Sequence, residues 1–197
     1  ALDAGDLRSK YDVIIFPDGG IPVSDPRTQG GGGGGGSTNA NIPAEYIARQ
    51  GNVTVVQTVP QLQTFLQNGG TIVTVGSSTA LARHLGLPIT SALVETADGR
   101  ERALPRSKYY VPGSVLRVQV DTTQAVAAGM PRNVDVMFDN SPVFKLESGA
   151  EAAGVKSVGW FNENPLRSGW AWGQSYLTGG VQFAQADVGQ GKLFLFA

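Results

Sequence analysis

Gly69-Gly70-Thr71-Ile72-Val73-Thr74-Val75-Gly76-Ser77-Ser78-Thr79-Ala80-Leu81-Ala82-Arg83-His84-Leu85-Gly86 decides how this chain is read. Thr71 to Val75 is β-branched throughout, which predicts a strand buried on both faces, as in the middle of a parallel sheet. Gly76-Ser77-Ser78-Thr79 then turns the chain, and Ser or Thr in such a turn caps a helix. Ala80 to Leu85 is expected to be that helix, released at Gly86 and stopped by Pro88. A strand, a tight turn of small residues and a helix place side chains at the carboxyl end of a sheet. Ligands and nucleophiles sit there in open α/β sheets.

Upstream of this elbow, Thr58 reads as the cap of a helix from Val59 to Gln67, with Val59, Leu62, Phe65 and Leu66 on one face. Tyr11 to Phe16 reads as a central strand that ends in the turn Pro17-Asp18-Gly19-Gly20, whose glycines expose backbone N–H groups. Residues 21–42 form a Gly-rich loop that holds seven consecutive glycines, Gly30 to Gly36. No Lys-Ser or Lys-Thr follows them, so a flexible surface loop is expected and not a phosphate cradle. Pro43 to Gln50 reads as a helix opened by its proline. The alternation of strands and helices predicts an α/β fold built on a parallel sheet.

Downstream the character changes. Leu93 to Glu95 and Tyr109 to Val111 read as short strands around a polar tip. The tip carries Arg100, Arg102, Arg106 and Lys108, but Asp98 and Glu101 interrupt the basic run, so a solvated hairpin is expected. Val115 to Val120, Val134 to Phe138, Val143 to Leu146 and Val155 to Phe161 read as strands, with a short helix from Thr122 to Ala128. Val181 to Ala186 and Lys192 to Phe196 pair as a hairpin. An antiparallel extension on the parallel core follows from these. Ser168-Gly169-Trp170-Ala171-Trp172-Gly173 puts two indoles on one face of an extended segment. Such a pair could stack a sugar in a carbohydrate-binding module, but packing under a loop is the preferred reading.

Composition narrows the function. The chain has 197 residues, 41% of them apolar, which suits one domain with a core. A net charge of −1 gives no electrostatic case for nucleic acid or an anionic membrane surface. No apolar run approaches the ~20 residues of a membrane span. Cysteine is absent, which removes thiolate chemistry. The only histidine is His84. It stands seven residues beyond Ser77, or about 10 Å of helical rise, and is expected to point away from the elbow. A Ser-His-acid triad is therefore not expected, and neither is a metal site. Ser77 and Ser78 remain the nucleophile candidates should a base come from outside the segment. Asp18, Gly19, Gly20, Gly76, Ser77 and Ser78 are the candidates for binding a small anion, through free N–H groups at a helix start.

The stretch from Tyr11 to Gly20 resembles the strand and oxyanion loop of class I glutamine amidotransferase-like domains, and Gly69 to Ser78 is similar to their nucleophile-elbow strand. Ala127 to Pro131 and Gly189 to Phe194 resemble later landmarks of that superfamily. The wording of Tyr11 to Gly20, Thr58 to Pro88, Phe138 to Phe144 and Leu166 to Gly173 further resembles the domain attached C-terminally to bacterial zinc carboxypeptidases of the carboxypeptidase A-like class. That resemblance implies a flavodoxin-like, mostly parallel sheet with helices on both faces. It implies a secreted or periplasmic parent, a hydrolase whose zinc belongs to a peptidase domain of the same polypeptide, which would be the partner of this segment. By that resemblance the family's cysteine nucleophile falls on Gly76 or Ser77, its catalytic histidine has no counterpart, and the segment is expected to lack the family's first strand and C-terminal end. The expectation is a single domain, residues 1–197, that binds a small ligand or docks without catalysing and holds no cofactor of its own. A serine-dependent hydrolase is the rival reading.

The glycine run has no side chains to pack. Deleting residues 29–37 should shift the melting temperature by no more than a few degrees in a thermal melt, because closure entropy changes slowly with loop length.

Overall fold

The computed structural model describes residues 1–24, 43, 46 and 51–197. Its strands are β1 (Val13–Phe16), β2 (Thr71–Val75), β3 (Ile89–Ser91), β4 (Val94–Ala97), β5 (Arg100–Ala103), β6 (Ser114–Val120), β7 (Asn133–Phe138), β8 (Phe144–Leu146), β9 (Val155–Ser168), β10 (Val181–Val188) and β11 (Gly191–Phe196). Its α-helices whose bounds lie within the described residues are α1 (Thr58–Gln67) and α2 (Leu81–His84). One curled sheet runs in the order β1-β2-β11-β10-β9-β6-β7, with β8 pairing β10 and carrying β3. The β1, β2 and β11 pairings are parallel, and those from β11 onward are antiparallel. The fold is thus α/β, with a flavodoxin-like parallel core and an antiparallel extension that supplies more strands than the core does.

Strand periodicity divides the interior into two clusters. Leu193 and Leu195 of β11 belong to one cluster, with Leu62, Phe65 and Leu66 of α1, Ile72 of β2 and Leu81 of α2. Phe194 and Phe196 pack against the other, with Val118, Phe138, Phe161 and Phe183. Alternate residues of a strand point to opposite faces, so the clusters lie on the two sides of the sheet. The helical spacing of Val59, Leu62, Phe65 and Leu66 makes α1 the cover of the first face, and all four are buried.

Several expectations are corrected. β1 lies beside β2 and parallel to it as the apolar runs predict, but among the described residues it is an edge strand. Only Ile14 and Phe16 turn toward the first cluster, while Val13 and Ile15 are 50% and 65% exposed. A continuous apolar run does not distinguish a central strand from an edge. Thr58 is the first residue of α1 and not its cap: its hydroxyl accepts from the Thr54 amide and donates to Asp3. The elbow continues as a 3₁₀ helix, Gly76–Ala80, so α2 is shorter than expected. The Thr122 to Ala128 helix is a single 3₁₀ turn, Ala125–Ala127. The basic tip folds on itself, β4 against β5, around Asp98 and Gly99, whose φ values of 52° and 73° give the primed turn that hairpins favour. β9 runs on past Phe161, through Pro165, to Ser168. The expected Gly-rich loop beyond Ser24 and most of the expected Pro43 to Gln50 helix lie outside the described residues. No helix among the described residues is long and apolar enough to cross a membrane.

Gly191 marks a tight joint between two elements. A Cβ there would strike the backbone carbonyls of both Gly70 and Leu66, so β11 meets the α1–β2 turn backbone to backbone. Gly191→Ala is expected to cost about 1–3 kcal/mol or more in a urea unfolding titration, because neither carbonyl belongs to a side chain that can swing aside.

Candidate functional site

The site forms where β1 and β2 end side by side, Phe16 opposite Thr74. The two following loops bond to each other almost entirely through side-chain oxygens and backbone N–H groups. Ser77 donates its hydroxyl to Asp18 Oδ1 at 2.5 Å and its amide to the same oxygen at 2.7 Å. Its Oγ also accepts from the Gly19 amide at 3.0 Å. Ser78 is fully buried, and its Oγ accepts from the Gly20 and Ile21 amides at 2.8 and 3.1 Å while donating to the Pro17 carbonyl at 2.5 Å. Gly76 has φ +58°, and a Cβ on it would lie 2.5 Å from Asp18 Oδ1, so a side chain here is excluded twice over.

All six candidate residues, Asp18, Gly19, Gly20, Gly76, Ser77 and Ser78, therefore converge. Their polar groups bind one another. The carboxylate of Asp18 sits on the Ser77 amide at the start of the 3₁₀ helix, where an outside anion would be attracted. The bonds from the Ser77 hydroxyl and then from its amide hold the Asp18 carboxyl below its ordinary value. Neither serine caps a helix, in contrast to the sequence expectation. The amides of the β1 loop lie opposite them and take their place as partners.

His84 turns its Nε2 to the Pro22 carbonyl at 2.6 Å, so that nitrogen carries the proton and donates. Arg83 donates to the Val23 carbonyl. Both side chains of α2 thus hold the chain that leaves the β1 loop. Among the described residues no group of three His, Asp or Glu side chains is placed to hold a metal ion. A cleft of about 1010 Å³, lined by Asp121, Gln124, Glu147, Glu151, Lys156 and Ser157 among others, contains none of the elbow residues.

The Asp18–Ser77 and Ile21–Ser78 contacts join positions 59 and 57 residues apart, and no local signal reveals them. Trp170 and Trp172 are 54% and 52% exposed, which corrects the preferred reading that they pack under a loop.

No family model matches the chain, and no curated protein matches it. Solved structures do resemble it. The β-galactosidase from Bacillus circulans sp. alkalophilus is 13% identical with a TM-score of 0.51, over 96% of this chain and 20% of that one. The β-galactosidase from Rahnella sp. R3 is 13% identical with a TM-score of 0.49, over 99% and 21%. A ThuA-like protein from Bacteroides uniformis is 7% identical with a TM-score of 0.40, over 71% and 53%. At these identities the first of them shows a shared fold alone. The chain spans about a fifth of the length of the β-galactosidases it matches. The expected kinship with domains of zinc carboxypeptidases is corrected by these results: the likenesses are to β-galactosidases and ThuA-like proteins, and no link to a carboxypeptidase is among them.

Ser78→Ala should cost roughly 1–3 kcal/mol in chemical denaturation, because it removes three hydrogen bonds and orphans the buried Ile21 amide, while the Gly20 amide and the Pro17 carbonyl keep only their bond to each other. Asp18 has a lowered pKa in the folded state, so its contribution is complete above its ordinary value of 3.8 and lost as pH falls below that. Melting temperatures between pH 6 and pH 2 should therefore fall less steeply for Asp18→Asn than for the wild type.

Proposed function

We propose that this chain is a glutamine amidotransferase-like domain that binds or docks without catalysing, its elbow kept as a lock between two loops. The observation that carries this reading is the Ser77 hydroxyl, which donates to a carboxylate. A serine nucleophile needs a base that takes its proton at neutral pH. Asp18 is held below the usual carboxylate range by that same hydrogen bond, so it is a weaker base than an ordinary aspartate. The imidazole of His84 is bonded to Pro22 instead. The serine-hydrolase reading has no support in this arrangement.

The crevice also favours docking over capture of a small anion. An outside anion would have to displace Asp18 from the Ser77 amide. A better candidate surface lies on the face of β1 and β2 that no described residue covers, where Tyr11, Val13, Ile15 and Val75 are each more than two-fifths exposed. Apolar groups gathered in this way on one face mark a contact surface more often than an idle one. The same fold makes up a fifth of a longer β-galactosidase chain, which is in keeping with an accessory role.

The test is covalent labelling. A fluorophosphonate probe incubated with the purified chain should leave Ser77 and Ser78 unmodified by mass spectrometry. Stoichiometric labelling that disappears in Ser77→Ala would replace the docking reading with a hydrolase.

A further inference from the structure

The second cluster carries an aromatic surface that the elbow does not explain. Tyr110 and Trp172 exchange backbone hydrogen bonds of 3.0 and 2.9 Å, which sets them directly opposite each other with side chains on one face. Trp170, two residues earlier on the extended chain, joins that face. Its ring meets Tyr110 edge to face, with centroids 5.8 Å apart. The backbone beneath is fixed: Ser114 Oγ accepts from the Trp170 amide at 3.1 Å, and its one proton lies between the Pro112 carbonyl at 2.6 Å and the Trp170 carbonyl at 2.9 Å. Gly173 turns at φ +71° against the Lys108 carbonyl, where no Cβ fits. The Trp172 indole N–H donates to the Ser107 carbonyl at 2.9 Å, so that ring is held in place and offers a partner its π surface alone.

One cation stands at this surface. The Arg106 guanidinium lies 5.1 Å from the Tyr110 ring centroid and has no ion-pair partner among the described residues. Its neighbours are neutralised, Lys108 by Glu95 and Arg102 by Asp98.

We propose that Trp170, Trp172, Tyr110 and Arg106 form a binding platform for a pyranose of an oligosaccharide. A pyranose has a face of weakly positive C–H groups that lies on an electron-rich ring, and a rim of hydroxyl or carboxylate oxygens that accept from a guanidinium. The platform supplies both. The Trp172 ring is held by its bond to Ser107 and the Trp170 backbone by Ser114, so less conformational entropy is lost on binding than for free side chains. A proline-rich peptide is the competing occupant of an aromatic surface. It uses ring N–H donors for its carbonyls, and the N–H of Trp172 is engaged, which leaves it the single indole donor of Trp170. This inference is independent of the docking reading, since the elbow and the β1 face share no residue with the platform.

The experiment titrates the full chain with cellohexaose, with a galacturonic acid hexamer and with a proline-rich dodecapeptide, by calorimetry and tryptophan fluorescence. At least one hexasaccharide should bind. Trp170→Ala and Trp172→Ala should each weaken it about tenfold or more. Trp170→Phe should retain most of the affinity, which separates loss of stacking from loss of folding. Arg106→Ala should cost less for cellohexaose than for the uronate. The proposal is overturned if neither saccharide binds at about 10 mM, if the peptide alone binds, or if saccharide binding survives in the Trp170→Ala/Trp172→Ala double variant with its melting temperature intact.

Discussion

β11 pairs in parallel with β2 along one edge and antiparallel with β10 along the other, and both halves of the sheet depend on that double role. Leu193 and Leu195 enter one cluster and Phe194 and Phe196 the other, so a single strand ties together the two sides of the sheet as well as its two halves. Phe196 stacks on Phe183 with centroids 4.1 Å apart. Thr74, fully buried, is satisfied because its hydroxyl donates to the Phe194 carbonyl at 3.0 Å. A buried hydroxyl without such a partner would oppose the burial of this strand.

The elbow shows what becomes of a site-like geometry when its donors find partners within the chain. Helix starts and glycine loops attract anions because their N–H groups are unsatisfied. Here the Ser77 and Ser78 hydroxyls and the Asp18 carboxylate meet those groups, and the result is a joint between the ends of β1 and β2. The attraction that could hold a ligand holds two loops. Position 76 can then be only glycine, for a packing reason that needs no catalytic explanation.

The sequence was legible where the physical signal is local. The β-branched run between glycines forms β2, and the helical spacing of α1 and the β10–β11 hairpin appear as read. But β2 is buried on one face only: Ile72 and Thr74 are covered, while Val75 is exposed, against the expectation of burial on both faces. The sequence was illegible where the outcome depends on distant chain. Whether Val13 and Ile15 are covered is decided by what lies beside β1, not by β1 itself. The role of Ser78 is set by amides 57 and 58 residues away. The second half of β9 is misleading for another reason: Asn162-Glu163-Asn164-Pro165 has the composition of a loop, yet it stays in the strand by means of an irregular register with β6 and a left-handed Asn164. The indoles read as buried because most tryptophan surface is, and only the pairing of Tyr110 with Trp172 brings them out onto a shared face.

The double role of β11 also bears on how the chain reaches its native state. The bond from Thr74 to Phe194 spans 120 residues, and the whole β2–β11 ladder closes a loop of that size. Long-range parallel pairing is slow, because the entropy of closing the loop is lost before contacts repay it. During synthesis β1, β2 and α1 emerge well before β11, and until it arrives the edge of β2 and one side of α1 are open. An unpaired apolar edge in a nascent chain is the surface that chaperones recognise and aggregates recruit. For this protein, the interval between making β2 and making β11 is the period of greatest exposure to misfolding.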